Sequence, residues 1–275
     1  MFDDLRIFHC GYVHVPETAV DPKGSTSKLI KLPFMAVAAF HREHGLILVD
    51  APYGHDGPRN LGILAGGLLG ATAQRFELGW SIIPRIEQMG WRASEVNHVV
   101  MTHLHYDHTG GMKELGHAKF HVSQTEWTHA MGLGRWKGLL QGYAVKDFRA
   151  LAPRVSTFPT PERYSREHAG HDLLGDGSLR AISLPGHSPG HTGYIFEMVD
   201  GRKIFFLGDA VFQTAQVTDH VGFGAMPRAI SSDMNAALFT LAELQRYWEE
   251  NEDILLLCSH DPVIGEQVMN GPISV

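Results

Sequence analysis

The sequence predicts an α/β architecture of packed layers, and three observations support this prediction. Short apolar runs rich in β-branched and aromatic residues have the composition of buried strands. Segments with apolar residues at i, i+3 and i+4 spacing alternate with these runs, as amphipathic helices do in layered folds. Several apolar runs end just before a histidine or an aspartate, and loops at strand ends are where α/β proteins place ligand-binding residues.

The strands are predicted first, from apolar runs bounded by turn residues. They are Phe34–Phe40, Leu46–Val49, His98–Met101, Ala181–Leu184, Tyr194–Phe196, Ile204–Leu207 and Ile254–Leu257. The first two are separated by five residues that end in Gly45, a composition typical of a hairpin turn.

Helical periodicity is clearest over Asp233–Glu250, where Asp233 is suited to be the N-cap. Ser81–Met89 and Ser123–Met131 are two further predicted helices. Three segments do not have the pattern of core elements, and long irregular segments in a domain are usually functional loops. These segments are Tyr53–Gly79, Gly132–Gly170 and Ala210–Ser232. We expect one domain over residues 1–275, with substrate-covering loops around 53–80 and 132–170.

Composition excludes several classes of protein. The chain has 275 residues, and its net charge of −7 argues against nucleic acid as the main partner. Two cysteines, Cys10 and Cys258, imply no disulfide framework and are predicted to be reduced core residues. The start has acidic residues where a secretory signal is positive. The longest charge-free apolar stretch, Leu61–Ala73, is too short to span a bilayer. We therefore expect a cytoplasmic protein without a membrane span.

A histidine-rich segment indicates the chemistry. Among the 18 histidines of the chain, three fall with an aspartate in the run His103-Leu-His105-Tyr-Asp107-His108. His103 and His105 are two residues apart, so an extended strand end directs both to the same side. Asp107 and His108 follow where the chain turns, ahead of two glycines. One short segment can therefore supply ligands to two metal ions.

More candidate ligands follow other predicted strands. His187 and His191 follow Ala181–Leu184, Asp209 follows Ile204–Leu207, and His260 follows Ile254–Leu257. Asp50 comes directly after Leu46–Val49 in the same way. Each of these residues alone would be an ordinary turn residue. Their shared position at strand ends predicts one polar site at one edge of the sheets.

These motifs resemble those of the metallo-β-lactamase superfamily, whose signature is His-x-His-x-Asp-His followed by a distant His, Asp and His. The resemblance runs from about Phe34 to His260 and implies a four-layer αββα sandwich with the metal site at one rim. It also implies which residues bind the metals: His103, His105 and His187 for the first ion, Asp107, His108 and His260 for the second, and Asp209 for both. Asp50 and His191 match positions that orient the ligands.

Ligand type implies the reaction. Imidazole and carboxylate ligands suit two divalent ions, zinc foremost, with manganese, iron or cobalt as alternatives. Two such ions about 3.5–4 Å apart can hold a bridging hydroxide, which would attack the scissile carbonyl. Asp107 and Asp209 are the candidate catalytic residues, since either carboxylate can accept or relay a proton. The expected class is metal-assisted hydrolysis.

Within the superfamily, the chain most resembles the N-acyl homoserine lactonases, which act in quorum quenching. The supporting motifs are Leu46–Asp50, Leu184–His191 and Gly208–Ala210. This resemblance implies a small lactone substrate with an apolar tail. The apolar segments Gly62–Gly70 and Trp136–Tyr143 would line the tail pocket, or else pack into the core or a homodimer interface.

One residue departs from the lactonase pattern. Those enzymes carry a tyrosine three residues after the bridging aspartate, where it hydrogen-bonds the substrate, and this chain has Phe212. Phe212 is therefore a candidate substrate-binding residue that lacks the hydroxyl, and Tyr106 and Tyr194 lie nearby in sequence. Hydrolysis of phosphotriesters or thioesters is the alternative function, and a non-catalytic module stapled by metal is a third.

Overall fold

Two β-sheets pack against each other in the computed structural model, which describes residues 1–57, 74–160, 170–251 and 253–275. The strands are β1 (Phe2–Pro16), β2 (Leu29–His41), β3 (Gly45–Val49), β4 (Gln74–Arg75), β5 (Val96–Val100), β6 (Lys119–Ser123), β7 (Val155–Phe158), β8 (His171–Asp172), β9 (Leu179–Ser183), β10 (Thr192–Glu197), β11 (Lys203–Phe206), β12 (Leu255–Leu257) and β13 (Ile273–Ser274). The α-helices are α1 (Ile82–Gln88), α2 (Tyr106–Thr109), α3 (Gln124–Gly132), α4 (Arg135–Leu140), α5 (Val145–Phe148), α6 (Ala215–Thr218), α7 (Ala225–Ile230), α8 (Met234–Glu250) and α9 (Pro262–Val268).

Strand direction brings several carboxyl ends to the same rim. The first sheet has the order β13-β1-β2-β3-β5-β6-β7, with β4 paired to β1, and β3, β5, β6 and β7 run parallel. The second sheet has the order β12-β11-β10-β9-β8. Because β10 is antiparallel to both β9 and β11, and β12 is parallel to β11, the strands β9, β11 and β12 end at one edge.

Three apolar clusters confirm the four-layer αββα sandwich. The middle cluster draws on both sheets, with Val37 and Ile47 from the first and Tyr194 and Phe206 from the second. A second cluster packs the outer face of the first sheet against the helices on that side, and a third packs the second sheet against α8. Alternate residues of β2 and β3 enter the middle and outer clusters, as expected of strands buried on both faces.

The predicted elements are confirmed with small shifts of their ends. The seven predicted strands correspond to β2, β3, β5, β9, β10, β11 and β12. The first two form the expected antiparallel hairpin, and Gly45 takes a φ of 72° at its turn. The predicted helices are α8, α1 and α3, and Asp233 caps α8 by accepting a hydrogen bond from the Ala236 N–H (3.0 Å).

The N-terminal strand β1, which pairs with β2, was not predicted. Charged residues interrupt its apolar pattern. In the folded chain Arg6 pairs with Asp4, and Arg42 pairs with Asp3. The short strands β6 and β7 were also missed. In β6 the apolar residues alternate with polar or charged ones, and in β7 Ser156 and Thr157 separate Val155 from Phe158, so neither strand has an apolar run that predicts it.

The interpretation of 132–170 as a segment outside the core was wrong in part. Tyr143, Val145 and Phe148 are buried in the outer cluster of the first sheet. Val145 and Phe148 lie on α5, whose lysine and aspartate interrupt the apolar pattern. Trp136 and Leu140 on α4 are 64 % and 89 % exposed, so only part of the segment is buried in the core. The stretch 210–232 likewise buries Val211, Val217 and Phe223, among others, and forms α6 and α7. The proposed tail-lining stretch 62–70 lies outside the described residues.

Cys10 and Cys258 are free and buried, as predicted. Of the helices in the described part of the chain, none has the length and apolar character needed to cross a bilayer.

A histidine pair at the first sheet makes stability depend on pH. His98 Nδ1 on β5 and His121 Nε2 on β6 lie 3.0 Å apart, and burial together with the neighbouring His98 lowers the pKa of His121 to about 4. Because the unfolded chain protonates this histidine near pH 6.5 and the folded chain does so only near 4, stability is lost as pH falls through that range. We expect this residue to contribute about 2 kcal/mol of the loss between pH 7 and pH 5.

Urea denaturation of the wild-type protein and His121→Gln at both pH values checks this prediction. The variant should lose about 2 kcal/mol less than the wild type on acidification. His117→Gln, at an exposed position, controls for removal of a histidine. Equal losses in wild type and His121→Gln would contradict the assignment.

Candidate metal centre

The candidate ligands converge at the rim where β3, β5, β9, β11 and β12 end. His103 and His105 lie in the loop after β5, and Asp107 and His108 lie in the single turn of α2 that follows. His187 comes from the loop between β9 and β10. Asp209 follows β11, and His260 follows β12 just before α9. All seven predicted ligands are therefore brought together.

Three histidines form the first group. His187 Nε2 lies 3.2 Å from His103 Nε2 and 2.9 Å from His105 Nδ1. All three side chains are buried, and their ligand atoms lie within 4.8 Å of one another. Three buried imidazole nitrogens this close together can hold a divalent cation.

A second group contains Asp107, His108 and His260, whose ligand atoms also lie within 4.8 Å of one another. Asp209 lies between the two groups. Its Oδ2 is 3.3 Å from His187 Nε2 in the first group and 3.0 Å from His260 Nε2 in the second, while its Oδ1 is 3.3 Å from His108 Nε2. One carboxylate therefore faces both groups.

Hydrogen bonds fix which nitrogen of each ring is available. His260 Nδ1 faces the Pro33 carbonyl oxygen at 2.6 Å and must donate to it. His108 Nδ1 likewise donates to Asp50 Oδ2 at 2.8 Å. The Thr102 hydroxyl donates to Asp50, so it can only accept from His103 Nδ1. In their neutral form, the rings of these three histidines therefore present bare Nε2 atoms to the centre.

The buried polar atoms left without partners test whether divalent ions fit this donor set. Among the residues that the structure describes, His108 Nε2 and Asp209 Oδ1 have no hydrogen-bond partner although both are buried. Two lone-pair-bearing atoms 3.3 Å apart repel unless a proton or a metal ion lies near them. The residues present fit divalent metal binding, as His and carboxylate donors suit zinc and related ions.

The electrostatics of the two groups differ. Burial lowers the pKa of His187 to about 4, so the imidazole is neutral and can ligate a metal at neutral pH. Burial opposes protonation of His108 as well, but Asp209 and Asp50 outweigh it and raise the pKa of that imidazole. Burial alone would raise the pKa of Asp209, yet the imidazoles of His260, His108 and His187 hold it well below its usual value. Asp209 is therefore a carboxylate at neutral pH.

Asp50 and His191 support the ligands without joining the groups. Asp50 accepts hydrogen bonds from the Thr102 N–H and hydroxyl (both 2.8 Å) and from His108 Nδ1. It has a φ of 63°, a left-handed conformation that aspartate tolerates better than most residues. His191 Nε2 accepts from the Asp209 N–H at 3.0 Å. A Cβ on Gly208 would lie 2.8 Å from that ring, so glycine is needed there.

Phe212 lies against the centre, fully buried. Its ring centroid is 4.8 Å from that of His260 and 6.0 Å from that of His187, and Gln216 holds its backbone N–H. Tyr194 cannot replace the absent hydroxyl, because its OH donates to the Met101 carbonyl oxygen at 2.7 Å in the core. The Tyr143 hydroxyl is likewise used, by Glu126.

Glu126, at the start of α3, was not identified from the sequence. Its carboxylate is buried beside the ligand loops. The sequence signal for it is the run Ser123-Gln-Thr-Glu126, which has the pattern of a capping box. In a capping box the glutamate side chain accepts a hydrogen bond from the backbone N–H of the N-cap residue. Here Ser123 does cap α3, but the glutamate carboxylate points to the loops instead.

Comparison with known proteins identifies the family of this chain. The sequence model of the metallo-beta-lactamase superfamily matches residues 39–260. N-acyl homoserine lactonase AttM of Agrobacterium fabrum is 27 % identical over 182 residues, which are 66 % of this chain and 64 % of AttM. The match thus spans slightly less than two thirds of that relative. N-acyl homoserine lactonase AiiA of Bacillus thuringiensis subsp. kurstaki is 21 % identical over 258 residues, 94 % of this chain and 92 % of AiiA.

Solved structures share the fold. An N-acyl homoserine lactone hydrolase with the product N-hexanoyl-L-homoserine bound at its catalytic metal center superimposes with a TM-score of 0.71 at 18 % identity. The superposition covers 99 % of this chain and 100 % of that chain. This chain therefore shares its overall fold with that protein.

Proposed function

The chain belongs to the metallo-beta-lactamase superfamily, and from that premise we propose that it is a metal-dependent hydrolase that opens a lactone, an N-acyl homoserine lactone in particular. The observation that carries the proposal is the sharing of Asp209 between two three-residue ligand groups at one rim. AttM and AiiA, which are N-acyl homoserine lactonases, support the substrate class.

In this proposal the site holds two divalent ions, zinc foremost. His103, His105 and His187 would hold the first ion, Asp107, His108 and His260 would hold the second, and Asp209, which faces both groups, would contribute to each. Bound there, the ions supply Lewis-acid chemistry and activate water for attack on an ester carbonyl. Asp50 holds His108, and His191 holds the backbone of Asp209, so both fix ligand direction.

Asp107 is the residue best placed to move a proton. Its side chain is 14 % exposed, whereas the side chain of Asp209 is 2 % exposed. Burial raises the pKa of the Asp107 carboxyl, which favours a group that can take up a proton and return it to a leaving alkoxide. Asp209, held anionic by three imidazoles, orients the centre and is less suited to give up a proton.

The substrate tail would lie against apolar side chains near the rim. Phe212 contributes an apolar wall beside His260 and His187. The exposed Trp136 and Leu140 of α4 offer apolar surface close in sequence to Tyr143, whose ring edge contacts His105 at 4.7 Å. The same exposed face would suit a homodimer interface, which stays a prediction.

The test is proton release by the zinc-loaded protein over a panel of acyl homoserine lactones and simple γ- and δ-lactones. Opening of a lactone at neutral pH liberates one proton, so no chromophore is needed. Metal-dependent release supports the proposal, and the best substrate defines the tail pocket. Silence over the panel together with turnover of phosphotriesters or thioesters would replace the lactone by that alternative substrate class.

Phe212→Tyr is expected to raise lactone turnover about fivefold. The new hydroxyl adds one hydrogen bond to the substrate beside His260, an effect of about 1 kcal/mol. The kcat/KM for the best lactone of the panel is the measurement, with thermal unfolding to confirm that the buried hydroxyl does not destabilise the chain. Phe212→Leu, which adds no hydroxyl, serves as the control and should not gain. An unchanged or lower rate in Phe212→Tyr would show that other groups orient the substrate.

A further inference from the structure

Glu126 lies outside both ligand groups, yet its carboxylate accepts four hydrogen bonds. Three come from the loops that carry ligands, and one comes from Tyr143 between α4 and α5. Oε1 accepts from the Leu104 N–H (3.0 Å) and the Tyr143 hydroxyl (3.1 Å). Oε2 accepts from the Ser188 hydroxyl (2.7 Å) and the Gly190 N–H (3.0 Å). The residue is fully buried. A buried carboxylate with every lone-pair direction used is a fixed structural element.

The donors come from the two loops of the first ligand group. Leu104 lies between His103 and His105, and Ser188 follows His187 directly. Oε1 therefore holds the first loop and Oε2 holds the second, so one carboxylate sets the spacing between the loops. His187 lies on the second loop. Its Nε2 is 3.2 Å from His103 Nε2 and 2.9 Å from His105 Nδ1, which both lie on the first loop.

The start of α3 also contacts the second loop directly. The Ser123 hydroxyl donates to the Gly190 carbonyl oxygen at 2.7 Å. Residue 190 must be glycine, because a Cβ there would lie 2.2 Å from the Glu126 backbone nitrogen. Tyr143 connects the same carboxylate to His105, since its ring edge contacts that imidazole. The helix, the loop and the ring of His105 therefore form one connected unit.

We propose that Glu126 is the positioning residue for the first metal, joining the two ligand loops so that His103, His105 and His187 hold the ion. The proposal concerns metal binding and does not depend on which ester the enzyme cleaves. It assigns to Glu126 a function in the spacing of the ligands, separate from any contact with the substrate.

Glu126→Gln tests this without changing the shape of the side chain. Each carboxylate oxygen faces one backbone N–H, from Leu104 or from Gly190, that cannot reverse its direction. A glutamine must point its NH₂ at one of these N–H groups in either flip, so one loop is pushed away. We expect zinc affinity at the first site to fall about 10–100-fold, measured by competition with a chromophoric chelator. The Co²⁺-loaded variant should also show an altered d–d spectrum.

Asp147→Asn is the matched control. Asp147 is a buried carboxylate that pairs with Lys113 and makes no hydrogen bond to either ligand loop among the described residues. This variant should keep the zinc affinity and the Co²⁺ spectrum of the wild type. Wild-type zinc affinity and spectrum in folded Glu126→Gln would overturn the proposal.

A zinc titration of folding covers the case in which metal-free Glu126→Gln does not fold. Because zinc bound only to the native state stabilises it by mass action, raised zinc should restore native circular dichroism if the lesion lies in metal binding. Recovery at zinc concentrations above those that saturate the wild type supports the proposal. A variant that stays unfolded at saturating zinc would overturn it, since the carboxylate would then serve core folding.

Discussion

Asp209→Asn is expected to lower hydrolysis about 1,000-fold and to leave the purified protein short of metal. Asparagine keeps the size of the side chain but removes the negative charge that faces His187, His260 and His108. The ions lose the ligand shared between the two groups, and Lewis-acid stabilisation worth several kcal/mol is lost with them. The kcat/KM for the best lactone and metal content by atomic absorption are the two measurements.

Asp200→Asn provides the control for this variant, because the Asp200 side chain is half exposed and pairs with the nearby Arg202 side chain and backbone, far in the fold from the ligand groups of the described chain. Its activity and metal content should equal those of the wild type. Full activity with full metal content in Asp209→Asn would contradict a centre that depends on a shared carboxylate.

Asp50→Asn is expected to weaken binding of the second metal about 10–100-fold. Asparagine adopts the left-handed conformation as readily as aspartate, so the backbone φ of 63° is retained. If its NH₂ faces His108 Nδ1, that nitrogen must accept and the ring proton moves to Nε2, where no metal can then bind. If the amide is flipped, the NH₂ meets the Thr102 N–H instead. Zinc titration with a chelator indicator resolves the second binding step.

Asp50→Gly separates the carboxylate from the backbone, since glycine accepts the same φ without strain. It should lose second-site affinity as Asp50→Asn does. Unchanged binding of the second ion in Asp50→Asn would contradict the role given to the Asp50–His108 hydrogen bond.

The ligand positions were predictable from the sequence because strand ends carry a simple pattern. An apolar run followed by His187, Asp209 or His260 marks both the strand and the rim, and strand direction then brings the residues together. The αββα layers followed from family resemblance, and the buried alternation of β2 and β3 explains why their runs were readable.

Other features depend on tertiary contacts that local pattern does not encode. β1 was missed because its charged residues interrupt the apolar pattern, although Arg6 pairs with Asp4 and Asp3 pairs with Arg42 in the folded chain. Phe148 was missed because a lysine and an aspartate precede it in α5. Glu126 has an ordinary helix-start position in sequence. Only the folded chain shows that its carboxylate spans residues 104 and 190.

The most direct test of the account is turnover measured against metal content. The protein is stripped with a chelator, zinc is returned in steps, and proton release from the best lactone of the panel is followed at each step. Two ligand groups that share Asp209 predict activity that rises from background and levels off at two zinc ions per chain. Two ions bound with hydrolysis still at background, together with a gain in thermal stability, would contradict the account and indicate a metal-stapled fold without catalysis.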